Sequence, residues 1–154
     1  MGVLYSIVPI DKQVADYLHK IGASVPDWEN VSRNPTPQEL RTICGRMTDM
    51  KVDFLASPNH AWQIMFEGLN DPEHEPWTLL NVHKFNGDES LPHSIWFEKG
   101  WPSLIVRIVH ALTAICGPLV IFPDTGCRPL IVKADDDAEQ LFAAWEHARG
   151  LPWR

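Results

Sequence analysis

Hydrophobic positions in the first quarter of the chain follow first the pattern of a buried strand and then that of a helix. The largely apolar run over residues 3–8 predicts a buried strand. Asp11 is placed to cap a helix after it, and Gly22 is placed to end that helix. Between these two residues, apolar side chains recur at the spacing of one helical face, at Val14, Tyr17, Leu18 and Ile21.

A proline-containing segment separates this helix from a second one. Residues 23–36 include Pro26 and Pro35 and show no clear period, which predicts a long loop. Residues 36–39, Thr-Pro-Gln-Glu, then combine an N-cap residue, a proline in the first turn and an acid that reaches back to the cap. The pattern predicts a helix that begins there and whose inward stripe is Leu40, Ile43, Cys44 and Met47.

The centre of the chain, residues 51–98, changes to a period of two, which is typical of strands in a half-buried sheet. One predicted strand face consists of Trp62, Ile64 and Phe66. Another consists of Trp77, Leu79, Asn81, His83 and Phe85. Turn-forming clusters at 57–59, 70–72 and 86–88 separate the apolar runs. This part of the chain is therefore predicted to form an antiparallel meander.

The last third of the sequence predicts a buried helix, a hairpin and a final helix. Residues 101–116 are apolar on nearly every side of a helix, and Gly117 and Pro118 end it. Short apolar runs at 119–122 and 130–132 are separated by turn residues, as in a hairpin. Three aspartates at 135–137 then complement the dipole of a last helix, whose apolar residues are Leu141, Phe142, Trp145 and Ala148.

These elements predict a single α+β domain over residues 1–154. Their order is β-α-α-β-β-β-β-α-β-β-α, and the short connections between neighbouring strands favour a largely antiparallel sheet, with a central meander and a C-terminal hairpin, packed by about four helices. The 154 residues lie within the usual size of one domain, and 45% of them are hydrophobic, as in ordinary globular proteins.

Negative charge is concentrated in the middle of the chain. The net charge is −7, and residues 51–100 hold eight acids and three bases. Such a surface repels nucleic-acid phosphates and anionic lipid and attracts a basic partner. We therefore expect no nucleic-acid ligand and no membrane association.

Known motifs for cofactor, metal or nucleophilic chemistry are missing from the sequence. The seven histidines and three cysteines lack the spacing of metal ligands, and the nine glycines are scattered singly rather than forming a phosphate-binding loop. We therefore expect no cofactor, no metal and no catalytic residues. The odd number of cysteines suits reduced thiols, and the apolar N-terminus lacks the basic lead of a signal peptide, so we expect a cytoplasmic protein.

Surplus tryptophans beside acidic loops suggest a protein-binding surface. Seven tryptophans are about three times the usual number for this length. Trp62, Trp96, Trp101 and Trp145 lie on periodic elements, and we interpret these four as core residues. The predicted partner-binding residues are two tryptophans that adjoin proline-containing loops and the acids of the central loops: Trp28, Glu67, Asp71, Glu73, Glu75, Trp77, Asp88 and Glu89.

In size, acidity and fold class, the chain resembles the immunity proteins with which bacteria neutralise toxin domains, many of them basic nucleases. No motif carries residues across, so the resemblance is one of class. It implies a non-catalytic protein that binds a basic partner.

The charged residues of the long apolar helix leave an alternative open. Arg107 must reach solvent or an acid, because a buried unpaired guanidinium costs several kcal/mol. The pair of Arg107 and His110 either forms a structural contact or, together with an acid such as Glu98, lines the pocket of a small-molecule enzyme or ligand-binding domain. A homodimer is equally compatible with exposed aromatic residues.

Overall fold

The computed structural model describes residues 3–55, 62–69, 76–83, 87–98 and 101–149, without the side chains of residues 148 and 149. In this part of the chain the elements are β1 (Leu4–Pro9), α1 (Lys12–Lys20), α2 (Pro37–Cys44), β2 (Met50–Leu55), β3 (Gln63–Gly68), β4 (Trp77–Val82), β5 (Ile95–Glu98), α3 (Pro102–Cys116), β6 (Leu119–Pro123), β7 (Leu130–Val132) and α4 (Ala138–Arg149). The predicted α+β class and element order are confirmed.

The seven described strands form one antiparallel sheet in the order β2-β3-β4-β5-β1-β6-β7. The meander from β2 to β5 and the hairpin of β6 and β7 are both as predicted. The first strand, β1, lies between them and joins the two halves. Tyr5 of β1 is opposite Phe97 of β5 on one side and Pro123 of β6 on the other.

One face of the sheet carries the main core, under α2, α3 and α4. Helix α3 has the most buried residues of the three, in keeping with its nearly all-apolar sequence. Strand side chains that point at these helices are fully buried: Ile7, Ile64, Phe66, Leu80, Val82, Ile95, Phe97, Leu119, Ile121 and Val132. Burying a side chain of this size contributes about 1.5–3 kcal/mol.

Of the described helices, only α1 lies on the opposite face, where it covers one end. Helix α1 places Ala15 and Leu18 against Val120 of β6, in a second and smaller cluster. The long loop after α1 adds Val25 and Trp28 to the same cluster. Among the described residues, neither cluster includes the side chains of β2 to β5 that point to this face.

Capping follows the sequence prediction at both of the first two helices. The Asp11 carboxylate accepts a hydrogen bond from the backbone N–H of Val14 at 2.8 Å. Thr36 and Glu39 form the reciprocal capping box, and Glu39 also accepts two hydrogen bonds from the Arg33 guanidinium. This pairing fixes the end of the long loop against the start of α2.

No helix within the described ranges is long and apolar enough to cross a membrane.

Candidate functional site

The uncovered half of the second sheet face is the candidate site, and we refer to it as the open face. It consists of the side chains that alternate with the buried ones on β2 to β5 and on the first part of β1. Cross-strand registers place the following described residues on it: Leu4, Ser6, Lys51, Asp53, Leu55, Gln63, Met65, Glu67, Trp77, Leu79, Asn81, Trp96 and Glu98.

Apolar side chains form the middle of the open face. Met65 of β3 is directly opposite Leu79 of β4, and both are only partly buried. Trp77 and Trp96 are likewise partly buried, on β4 and β5. Leu4 is 39% exposed on β1. Large apolar groups that stay partly exposed on adjacent strands are typical of an interaction surface.

A row of polar side chains crosses the same face. The Gln63 amide donates to the Asn81 side-chain oxygen at 2.7 Å, and the Asn81 amide donates to a Glu98 carboxylate oxygen at 3.5 Å. Asn81 is only 3% exposed, so its amide has little access to water. Hydrogen bonds with Gln63 and Glu98 replace those that water would make. The row holds the Glu98 carboxylate in place beside Trp96.

The charge of the open face is predominantly negative. Its described acids are Asp53, Glu67 and Glu98, and its described base is Lys51. Lys51 lies 3.8 Å from Asp53 on the same strand and is opposite Glu67 on the next. Carboxylates beside apolar side chains provide acceptors for cationic donors together with apolar contact area.

Of the predicted partner-binding residues, the structure brings Glu67 and Trp77 together. These two residues are cross-strand neighbours on β3 and β4. Asp71, Glu73 and Glu75, which lie between them in the sequence, fall outside the described residues.

Asp88 and Glu89 lie elsewhere, in the loop before β5, and they are engaged within the chain. Glu89 accepts hydrogen bonds from the Arg41 guanidinium of α2 at 2.6 and 3.4 Å. The hydroxyl and backbone N–H of Ser90 both donate to the Asp88 carboxylate, which lowers the pKa of Asp88 below its usual value. The Arg41–Glu89 pair fixes this loop against α2 rather than on the open face.

Trp28 belongs to the covered end of the sheet. Its ring packs with the α1 cluster. It also lines a cavity of about 440 Å³ together with His19, Asp27 and Glu29. Within the described part of the chain, no three His, Cys, Asp or Glu residues converge as a metal site.

The structure does not bring Arg107, His110 and Glu98 together. Arg107 forms an ion pair with Asp49, just before β2 at one edge of the sheet. The His110 ring lies 3.3 Å from the carbonyl oxygen of Ala134, just after β7 at the other edge. Glu98 points to the sheet face opposite α3. The acid that pairs with the Arg107 guanidinium is therefore Asp49 rather than Glu98.

Of the four tryptophans interpreted as core residues, two are in the core and two are not. Trp62 and Trp145 are buried, as expected. Trp96, in contrast, is partly exposed on the open face, and Trp101, just before α3, is 37% exposed. Period-two alternation assigns side chains to two faces but does not say which face the helices cover, so the sequence pattern alone missed Trp96, Met65 and Leu79 as site residues.

Comparison of the chain with protein-family models, with curated proteins and with solved structures finds no match.

Proposed function

We propose that this protein binds a basic protein partner through the open face. The observation that carries the proposal is that partly exposed apolar side chains lie next to carboxylates on a half-sheet that the described helices leave uncovered. Most sheets of α+β domains bury one face and keep the other polar. Here the uncovered face is instead a mixture of large apolar and acidic groups.

Tryptophan side chains supply the anchoring part of the proposed contact. Trp77 and Trp96 each offer a large rigid surface and one N–H donor, and truncation of such anchors at interfaces commonly costs 2 kcal/mol or more. Met65 of β3 and Leu79 of β4 are cross-strand neighbours and extend the apolar area. A partner that covers these side chains removes them from water, which favours association.

Carboxylates supply the steering part. Asp53, Glu67 and Glu98 outnumber the one described lysine of the face, and the whole chain carries a net charge of −7. A negative surface accelerates encounter with a cationic protein, and salt screens the attraction over about 10 Å at 0.1 M. Binding is therefore expected to weaken as salt rises.

The resemblance in size, acidity and fold class to immunity proteins suggests the kind of partner. Under this hypothesis the partner is a basic toxin enzyme, and binding blocks its activity by covering a cationic surface. The proposal includes Asp71, Glu73 and Glu75, which follow Glu67 in the sequence, as further acids for a basic partner.

Affinity capture followed by a purified two-protein assay tests the proposal. The protein is immobilised, the lysate of its source cells is applied at low salt, and each bound protein is identified, purified and measured for direct binding. We expect a basic partner whose affinity falls at least tenfold for Trp77→Ala and for Glu67→Lys, and which loses any enzymatic activity when bound.

A matched control uses an acid far from the open face. Glu146 is exposed on α4, on the other side of the sheet, so Glu146→Lys changes the net charge equally but is expected to leave the affinity within about twofold. Capture of no basic protein, or equal loss of binding for Glu67→Lys and Glu146→Lys, would contradict a contact through the open face.

A further inference from the structure

Strand β2 is one edge of the sheet that the described strands form, and the hydrogen bonds around it show which of its residues direct their backbone groups to β3. The Leu69 N–H donates to the Asp49 carbonyl oxygen at 3.2 Å, so Asp49 and Leu69 form a hydrogen-bonded pair. In an antiparallel ladder such pairs alternate with non-hydrogen-bonded ones. Lys51, Asp53 and Leu55 therefore direct their backbone groups to β3.

Three residues of β2 consequently direct their backbone N–H and C=O groups to the outside: Met50, Val52 and Phe54. The bonds between β3 and β4 show the same alternation. The Gly68 N–H donates to the Pro76 carbonyl oxygen at 2.8 Å, and the Val82 N–H donates to the Trp62 carbonyl oxygen at 3.0 Å, so the even-numbered residues of β3 bond to β4 and the odd-numbered ones to β2. A six-residue edge with three outward donors and acceptors is a template for another strand unless it is covered or repelled.

We propose that β2 pairs with β2 of a second copy of this chain, antiparallel and centred on Val52. In this register Val52 lies opposite Val52 of the second copy, and Met50 lies opposite Phe54. All three outward-facing residues are then in hydrogen-bonded pairs, which gives six new backbone hydrogen bonds. A two-fold axis through the centre relates the copies, as in the commonest class of homodimer.

Charge on the strand selects this register. Pairing centred on Val52 places Lys51 opposite Asp53 of the second copy, twice, because the arrangement is symmetric. Shifting the centre to residue 51 places two lysines opposite each other, and shifting it to residue 53 places two aspartates there. Opposite charges stabilise a cross-strand pair and like charges destabilise it, by roughly 0.2–1 kcal/mol each.

The side chains at the edge also suit a second copy. Met50, Val52 and Phe54 share the helix-covered face, so the pairing continues that face across the axis. Phe54 is 40% exposed, with the Arg41 guanidinium 5.4 Å from its ring centre. The end of β2 that carries Met50 in the second copy would cover part of this ring. The open faces of the two copies would then lie side by side on one continuous sheet.

Sedimentation equilibrium with charge-swap variants tests the proposal. We expect a concentration-dependent dimer for the unchanged protein. Lys51→Glu or Asp53→Lys turns both opposite-charge pairs across the two-fold axis into like-charge pairs. Either substitution is therefore expected to raise the dimer dissociation constant about tenfold or more. The double variant Lys51→Glu/Asp53→Lys restores the opposite charges and is expected to restore the dimer.

A control substitution and a backbone variant complete the test. Lys20→Glu, at the exposed end of α1, changes charge without touching β2 and is expected to leave the dimer intact. Val52→Pro removes an outward N–H that β3 does not use, and is expected to give a folded monomer. A monomer at all concentrations up to about 1 mM, a dimer indifferent to Lys51→Glu, or a double variant that stays monomeric would overturn the proposal.

Discussion

Two of the three cysteine thiols are packed in the core, and this determines their reactivity. Burial raises the pKa of Cys44 to about 12 and that of Cys116 to about 11. The Arg33 guanidinium acts in the opposite direction on Cys116, but burial dominates. Because the thiolate is the reactive form, neither thiol is suited to nucleophilic chemistry near neutral pH.

Thiol counting checks this account. At pH 7.5 we expect a disulfide reagent such as DTNB to titrate one thiol in the native protein, that of the partly exposed Cys127, and three in guanidinium chloride. Cys127→Ser is expected to show no rapidly reacting thiol in the native state. Reaction of Cys44 or Cys116 at the rate of Cys127 would contradict the buried positions of these two residues.

The Arg33–Glu39 pair makes stability depend on acid pH. Hydrogen bonds from Arg33, at 2.7 and 2.8 Å, are the largest cause that lowers the pKa of Glu39 to about 2, and the backbone N–H of Thr36 adds to them. A carboxyl whose folded pKa is lowered stabilises the fold fully above its ordinary pKa of 4.5 and loses that contribution as the pH falls toward 2.

Glu39→Gln is therefore expected to flatten the acid side of the stability curve. Between pH 5 and pH 2 the free energy of unfolding of the unchanged protein should fall by about 1–2 kcal/mol more than that of Glu39→Gln, after allowance for the partly exposed Arg33. Chemical denaturation at each pH measures both curves. Glu146→Gln, on the exposed side of α4, serves as the control and should follow the unchanged protein.

The end of α3 has little freedom to change. Gly117 has φ 71° and ψ −166°, a region that is essentially restricted to glycine. A Cβ there would also lie 2.3 Å from the Val31 carbonyl oxygen of the long loop. The adjacent backbone bond from Arg33 N–H to the Cys116 carbonyl oxygen, at 2.9 Å, keeps that loop against the helix end.

Gly117→Ala is expected to destabilise the protein by about 2–4 kcal/mol, through both backbone strain and the collision with Val31. Gly22 is the matched control, because it also has a positive φ, 80°, but a Cβ there meets nothing within 4 Å. Gly22→Ala should therefore cost only about 1 kcal/mol. Equal losses in thermal or urea unfolding would contradict the close approach at Gly117.

Sequence pattern predicted these elements well where the determinants are local. Asp11 and the capping box of Thr36 and Glu39 act within one helical turn, so their positions alone indicate where α1 and α2 begin. Hairpins between neighbouring strands depend on nearby turns and were also predictable. The place of β1 between β5 and β6 was not, because Tyr5 pairs with residues about 90 and 118 positions further along the chain.

The candidate site was predictable only in part, for the same reason. Alternation placed Trp77, Leu79 and Asn81 on one strand face, and acidity singled out Glu67, but neither says that the helices leave this face uncovered. The pairing of Arg107 with Asp49 likewise joins residues 58 positions apart. A sequence shows that a buried guanidinium needs a partner, whereas only the fold selects which acid that is.

The described helices are distributed unevenly over the two faces of the sheet. Of the helices in the described ranges, α2, α3 and α4 cover one face and α1 covers one end of the other, and none of them covers the open face. The partner proposal uses the side chains of this face, and the dimer proposal uses the edge strand beside it. The two proposals are tested separately, because the molar mass of the purified protein, measured without a partner, shows whether it is a dimer.

The solvent exposure of individual tryptophans tests the open face most directly. With 5-fluorotryptophan in all seven positions, each ¹⁹F signal is assigned by single Trp→Phe substitution, and the neutral nitroxide TEMPOL is added. Trp77 and Trp96 are expected to broaden strongly, while Trp62 and Trp145 stay sharp because they are buried. If Trp77 and Trp96 are as protected as Trp145, the face is covered in solution and the proposed binding surface does not exist.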